Sequence, residues 1–167
     1  MMIKKPQKLE ELYPFISKIP QGTHGSNKYQ KKLWKIVSDY VRIRDWYDYG
    51  NCIACSQKIL HWQNGQAGHY RAWSVCRGYT KFDDVNIFLE CASCNTGYDS
   101  NAIGVNFKNG IIKKYGKDRL EILDNFLNNP LEKMEDYKMC ELALVYLKRM
   151  KYLKEQPDYW NKIKFLL

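Results

Sequence analysis

The sequence lacks long apolar runs. No stretch reaches the roughly 18 consecutive apolar residues of a membrane-spanning helix, so a membrane protein of that kind is excluded. The opening, Met1-Met2-Ile3-Lys4-Lys5-Pro6, holds no apolar segment of signal-peptide length. The chain is therefore expected in a reducing cytoplasm, without a membrane partner. Proline is scarce, with five in all, and three of these (Pro6, Pro14, Pro20) fall within residues 1–26. Together with the turn-rich Gln21-Gly22-Thr23-His24-Gly25-Ser26, they predict an irregular N-terminal arm. There is no internal repeat and no low-complexity tract. Acidic residues are few, 18 against 27 Lys and Arg, for a formal charge of +9. A hydrophobic fraction of 45% excludes a disordered chain.

The charge is unevenly spread. Residues 1–50 carry 10 Lys and Arg against 5 Asp and Glu, and residues 101–167 carry 13 against 9. Residues 51–100 balance at 4 and 4. A neutral centre with basic flanks fits flanks that grip a polyanion while the centre does chemistry. The same charge also fits an ordinary basic protein.

What the sequence does have is patterned cysteine. Four of six cysteines form two knuckles, Cys52-x2-Cys55 and Cys91-x2-Cys94, with 35 residues between them. In a reducing compartment such pairs read as metal ligands before disulfides. Two tight turns presenting four thiolates suit tetrahedral zinc. Four sulfurs close the coordination shell, so this zinc is expected to be structural, and catalysis needs another metal. Cys76 and Cys140 read as plain thiols.

The flanking segments read as helical. Ser26 or Asn27 can cap a basic amphipathic helix over 27–50, ended by Gly50. Its apolar stripe is Leu33, Ile36, Val37, Tyr40, Ile43 and Tyr47. Lys28, Lys31, Lys35 and Arg42 fall on the other side, as a solvated face or a phosphate-tracking surface. Arg44 lies at the edge of the stripe. Asp45 is not expected to face it on a helix, so Arg44 should reach toward another element. Lys58 to Gln63 and Gln66 to Tyr70, around Asn64-Gly65, read as a hairpin. A loop near Arg71 and Arg77 follows, then an extended segment from Val85 to Glu90. Residues 51–105 thus form a core module, and residues 106–167 a helical region. Its helices are expected over Asn106–Tyr115, Asp118–Leu127 and Leu131 to about Glu155. The last should bury Met139, Leu142, Val145, Tyr146, Met150 and Leu153. The apolar segment from Tyr159 to Leu167 could dock on the body or on a second subunit.

Between the knuckles lies Gln66-Ala67-Gly68-His69-Tyr70-Arg71. A lone histidine is most often structural. Here Gly68 allows close backbone approach, Arg71 can clamp a phosphate, and zinc pins the loop at both ends. A neutral imidazole can take a proton from attacking water. Phosphodiester hydrolysis also needs a hard cation such as Mg²⁺ or Mn²⁺, held by one or two protein oxygens. Asn95 offers an amide oxygen directly after the last cysteine. Asn86 offers a hydrogen bond to orient the imidazole. Either asparagine also fits a plain turn or cap.

Several strings together resemble a known family. They are Tyr40-Val41-Arg42-Ile43-Arg44-Asp45, the first knuckle, Ala67-Gly68-His69-Tyr70-Arg71, Phe82-x3-Asn86, the second knuckle with Asn95, and Asn101. In this order they resemble the NinG (Rap) recombination endonucleases of lambda-like phages, similar to the His-Me finger (HNH, endonuclease VII-like) nucleases. The resemblance implies an α+β fold. Its core would be a small ββα-metal unit stapled by a four-cysteine zinc site and flanked by helices on both sides. It implies that His69 is the general base, Asn95 a ligand of catalytic Mg²⁺ or Mn²⁺, and Asn86 the supporting asparagine. The implied substrate is branched DNA such as Holliday junctions and D-loops, met in the host cytoplasm. Arg42, Arg44, Arg71, Arg77, Lys31 and Lys35 are the candidate DNA contacts. Related nucleases carry an acid just before the base, and NinG-type proteins tend to have Asp where this chain has Gln66. Asp99, four residues after Asn95, is the first candidate to compensate, ahead of Glu90 and Asp84. Symmetric nicks in a junction call for a homodimer. The competing expectation is a zinc-ribbon DNA-binding module acting as a regulator or inhibitor.

Overall fold

The computed structural model describes residues 27–76, 78–97, 101–128, 134 and 136–159. The expected arm over 1–26, His24, Arg77, Asp99 and most of the C-terminal segment lie outside the described residues.

Five helices and two strands carry the described chain. They are α1 (Asn27–Asp48), β1 (Gln66–His69), β2 (Ile87–Glu90), α2 (Ala92–Thr96), α3 (Asn101–Tyr115), α4 (Lys117–Asn128) and α5 (Asp136–Glu155). The two strands form one antiparallel sheet, with Gln66 opposite Glu90, Ala67 opposite Leu89, Gly68 opposite Phe88 and His69 opposite Ile87. Strand alternation sends Ala67, Ile87 and Leu89 into one core with α1 and α5. Phe88 goes to the other side, into a second core with Ile53, Phe107, Ile111, Leu120 and Leu123. The sheet is therefore a thin middle layer, with α1 and α5 on one face and α3 and α4 on the other. Among the described residues, no helix is long and apolar enough to cross a membrane.

The expected stripe of α1 is buried at Leu33, Val37, Tyr40 and Ile43, while Ile36 and Tyr47 are only partly covered. Val41, Asp45 and Trp46 are buried as well. The helix is wedged between the sheet and α5, so its buried arc is wider than one stripe. On α5, Met139, Ala143, Tyr146 and Met150 turn inward, but Val145 is 42% exposed, contrary to expectation. Tyr159 does dock on the body, buried against Trp46 and Tyr47.

Two local expectations fail. The Asn64-Gly65 hairpin does not form. Trp62–Asn64 is a single 3-10 turn capped by His61, and β1 pairs with the distant β2. Gly65 has φ −95°, outside the left-handed region that such a hairpin turn requires. A Cβ there would crowd Leu89 Cδ1, so the buried Leu89 side chain would have to shift. The second failure concerns Arg44 and Asp45. Arg44 Nε donates to Asp45 Oδ1 at 2.6 Å, the long guanidinium folding back along the helix. Arg44 also reaches across, as expected, donating to the Asp84 carbonyl and carboxylate (both 2.9 Å) and to the Ile87 carbonyl (3.0 Å).

Asp45 is a fully buried hub. Its carboxylate accepts from the Leu89 amide at 2.8 Å, Tyr49 Oη at 2.8 Å and Tyr115 Oη at 3.5 Å, besides Arg44. Burial works against the Arg44 charge, but the adjacent Asp45 outweighs it and raises the Arg44 pKa. Removing one member of such a group leaves the other charge buried and uncompensated. Asp45→Ala should lower stability by about 3–5 kcal/mol. Exposed Lys35→Ala should stay within about 0.5 kcal/mol. Urea unfolding of the metal-loaded protein measures both.

Candidate metal centre and adjoining acid

The first knuckle is a tight turn built by its own backbone. The Cys52 amide donates to the Gln57 carbonyl at 2.8 Å and the Ser56 amide to the Cys52 carbonyl at 2.9 Å, with Ser56 at φ 61°. The second knuckle is the start of a helix. Cys91 occupies the N-cap of α2 and Cys94 lies within its first turn. The knuckles are brought together by β2. The Ile53 amide donates to the Leu89 carbonyl at 2.9 Å, and Cys91 follows β2 directly.

All four Sγ atoms lie within 4.8 Å of one another, with Cys55 and Cys91 at 3.8 Å. Zinc–sulfur bonds of about 2.3 Å in a tetrahedron place sulfurs about 3.8 Å apart, so the four cysteines can hold a metal such as zinc. The thiols already differ. Burial pushes Cys52 up to about 11. For Cys91 burial is outweighed by hydrogen bonds from Ser93, Cys94 and Cys55, which bring it down to about 6. Cys76 is not part of this cluster. Its thiol donates to the Arg71 carbonyl at 3.2 Å, and Cys140 is plainly buried.

Beside the thiols is a second cluster, of oxygens. Glu90 ends β2 with no exposed surface, and among the described residues neither carboxylate oxygen has a hydrogen-bond partner. Burial, with Cys91 adding to it, pushes its carboxyl up to about 8. Gly68, diagonally across the sheet, makes room for it: a Cβ at Gly68 would overlap Glu90 Oε2. The same point lies 2.8 Å from Asn95 Oδ1. Asn95 is held from its other end, Nδ2 donating to Gln66 Oε1 at 2.5 Å. Gln66, Gly68, Glu90 and Asn95 thus share one face of the sheet. Gln66 and Asn95 are half-buried, which leaves that face a route to solvent.

His69 follows Gly68 and, by strand alternation, turns to the other face. Its ring stacks on Trp34 of α1 at 4.8 Å and meets Trp73 edge-on at 5.3 Å. Nε2 lies 2.8 Å from the Lys81 carbonyl. A carbonyl only accepts, so Nε2 carries the proton and Nδ1 the lone pair. Burial lowers the His69 pKa despite that bond, and the Lys81 charge lowers it further.

Asn86 does not orient the imidazole. Its Oδ1 accepts from the Arg71 amide at 2.8 Å, while Nδ2 donates to the Arg71 and Thr80 carbonyls and to Cys76 Sγ. It closes the loop between the strands, and the imidazole is fixed by Lys81. Of the basic residues, Lys31 and Lys35 are exposed on α1. Arg44 is turned inward. Arg42 is tied to Asp39, to the Ser38 and Gly65 carbonyls and to the Trp62 ring. Arg71 pairs with Asp124 of α4 and lies over the Tyr70 ring. Asp84 is bound to Arg44 and Arg149, away from the oxygen cluster.

Sequence reasoning ranks Glu90 behind Asp99. The signal for it is an acid after the otherwise apolar Ile87-Phe88-Leu89, just before a zinc ligand. Purified protein should carry one tightly bound zinc per chain, and Cys94→Ser should release it and unfold residues 51–97 first. Zinc stoichiometry and amide hydrogen exchange measure this.

The comparisons with known proteins agree with the ordered motifs. The family model described as Bacteriophage Lambda NinG protein matches residues 20–156, most of the chain and all of the site residues discussed above. No curated protein and no solved structure gives a significant match. The span of that match, which takes in both knuckles, the sheet and the helices around them, places this chain in the phage NinG family.

Proposed function

We propose that this protein is a metal-dependent DNA endonuclease of the His-Me finger type, with branched recombination intermediates as its substrates. The observation that carries the reading is the oxygen cluster over Gly68, one residue before His69 on β1, whose imidazole turns to the opposite face of the sheet. Nε2 is tied to Lys81, so the lone pair is on Nδ1. His69 and Gly68 are consecutive at the end of β1. The imidazole and the Glu90–Asn95 oxygens therefore border one strand end from its two faces. Zinc in the four thiolates supports this arrangement without entering it.

In this reading Nδ1 takes a proton from water as the water oxygen bonds to phosphorus. The P–O bond to the leaving sugar oxygen breaks with its electron pair on that oxygen, which then gains a proton from solvent. A divalent cation supplies the positive charge that neutralises the scissile phosphate and the leaving oxygen. Asn95 fits its binding: a half-buried amide oxygen held rigid by Gln66 and by the adjacent Cys94. Asn86 keeps the loop after His69 in place. Lys31 and Lys35 flank Trp34 in sequence on α1, so exposed positive charge is carried by the helix whose Trp34 ring stacks on His69.

The packing of His69 between two tryptophans also suits a purely structural histidine. That favours, as the second reading, a DNA-binding module that regulates without cutting. Incubation with a four-way junction in Mg²⁺ or Mn²⁺, and then in EDTA, separates the two. His69→Ala should cut the junction roughly 10²–10⁴-fold more slowly while binding it as tightly as the parent. Tight binding with no cleavage in either metal would favour the second reading. Because burial keeps His69 neutral to lower pH, the acid limb of the cleavage profile should lie below pH ~6.5. Lys31→Ala and Lys35→Ala should each reduce the salt slope of binding by about one.

A further inference from the structure

Two oxygen-bearing groups meet over Gly68. Glu90 brings a carboxyl group that is wholly buried and, among the described residues, without a hydrogen-bond partner at either oxygen. Asn95 turns Oδ1 toward the same point, since its Nδ2 is committed to Gln66. Oxygens that converge in this way repel unless a proton or a cation lies between them, and leaving them bare in the interior is expensive. The arrangement is built rather than incidental. Register sets Glu90 opposite Gln66 and diagonal to Gly68, and only glycine leaves space for the carboxylate. Gln66 and Asn95, which border the point, are half-buried rather than sealed in.

We propose that Glu90 and Asn95 form a divalent-cation site, in which the acid missing from β1 is supplied by the opposite strand through the gap at Gly68. This rests on the nuclease reading for its use, but not for its existence. The ligand set is carboxylate and amide oxygen, which selects Mg²⁺ or Mn²⁺ over zinc. The four thiolates select the reverse, so the two ions do not compete. A carboxylate from β2 also explains how β1 can carry neutral Gln66 and Gly68 where related nucleases carry an acid.

Mn²⁺ binding to the full-length, zinc-loaded protein tests it, read as loss of the free-ion electron paramagnetic resonance signal, with and without a four-way junction. One Mn²⁺ per chain should bind beyond the zinc. Glu90→Gln should weaken it at least tenfold with zinc content and circular dichroism unchanged. Should Glu90→Gln fail to fold, Gly68→Ala provides the second arm, because the added methyl displaces the carboxylate and should also weaken Mn²⁺ at least tenfold. Parent-like Mn²⁺ affinity in either folded variant, or no Mn²⁺ on the parent in either condition, overturns the proposal. Mn²⁺ binding without DNA cleavage would leave the site standing and remove the nuclease reading. Unchanged cleavage together with unchanged Mn²⁺ affinity in Glu90→Gln would remove the site and leave the nuclease reading standing.

Discussion

Strand β2 is gripped along its outer edge, and the rest of the structure depends on that grip. At Leu89 the amide is taken by the Asp45 carboxylate and the carbonyl by the Ile53 amide. The first bond ties the sheet to α1, the second to the first cysteine knuckle. A two-stranded sheet has little stability of its own. Here its open edge is occupied by a charged side chain and a metal-binding turn, which also shields it from pairing with another chain. With β2 fixed, Glu90 is carried into the interior and Cys91 is delivered to its three partners. Asp45 can fill this role only because Arg44, Tyr49 and Tyr115 share its charge.

The thiolate cluster and the proposed oxygen site differ in chemistry. Four thiolates can make a closed, soft site that fixes backbone, whereas the carboxylate and amide oxygens proposed as a second site would suit a hard cation. They are joined by a single peptide link at Glu90–Cys91 and by another at Cys94–Asn95. Metal in the thiolates would therefore set the position of both oxygen donors, so the geometry of the proposed site would depend on zinc that takes no part in the chemistry.

Much of this is legible in the sequence, for identifiable reasons. The knuckles can be read because ligand spacing is local. The helices α1, α3, α4 and α5 can be read from apolar periodicity and from glycine stops. Asn95 stands out through its place after a ligand. The hairpin expectation fails because Asn64-Gly65 is a local turn signal overridden by long-range pairing of β1 with β2. The Arg44–Asp45 expectation fails because a guanidinium is long enough to fold back on its neighbour. Glu90 ranks low in the sequence because its meaning lies in strand register: only when Gly68 and Glu90 are paired diagonally does the gap at one become the place of the other. Asn86 is expected at the imidazole, whereas its bonds hold the loop. The imidazole partner is a backbone carbonyl, which no side-chain pattern announces.

The central claim is that two different ions serve two adjacent sites. A crystal of the zinc-loaded protein soaked in Mn²⁺, with anomalous scattering recorded at both absorption edges, tests it most directly. The account predicts zinc among Cys52, Cys55, Cys91 and Cys94, and manganese in direct coordination by Glu90 and Asn95. Manganese absent from that point, with Glu90 hydrogen-bonded to Asn95 through a proton, would contradict it.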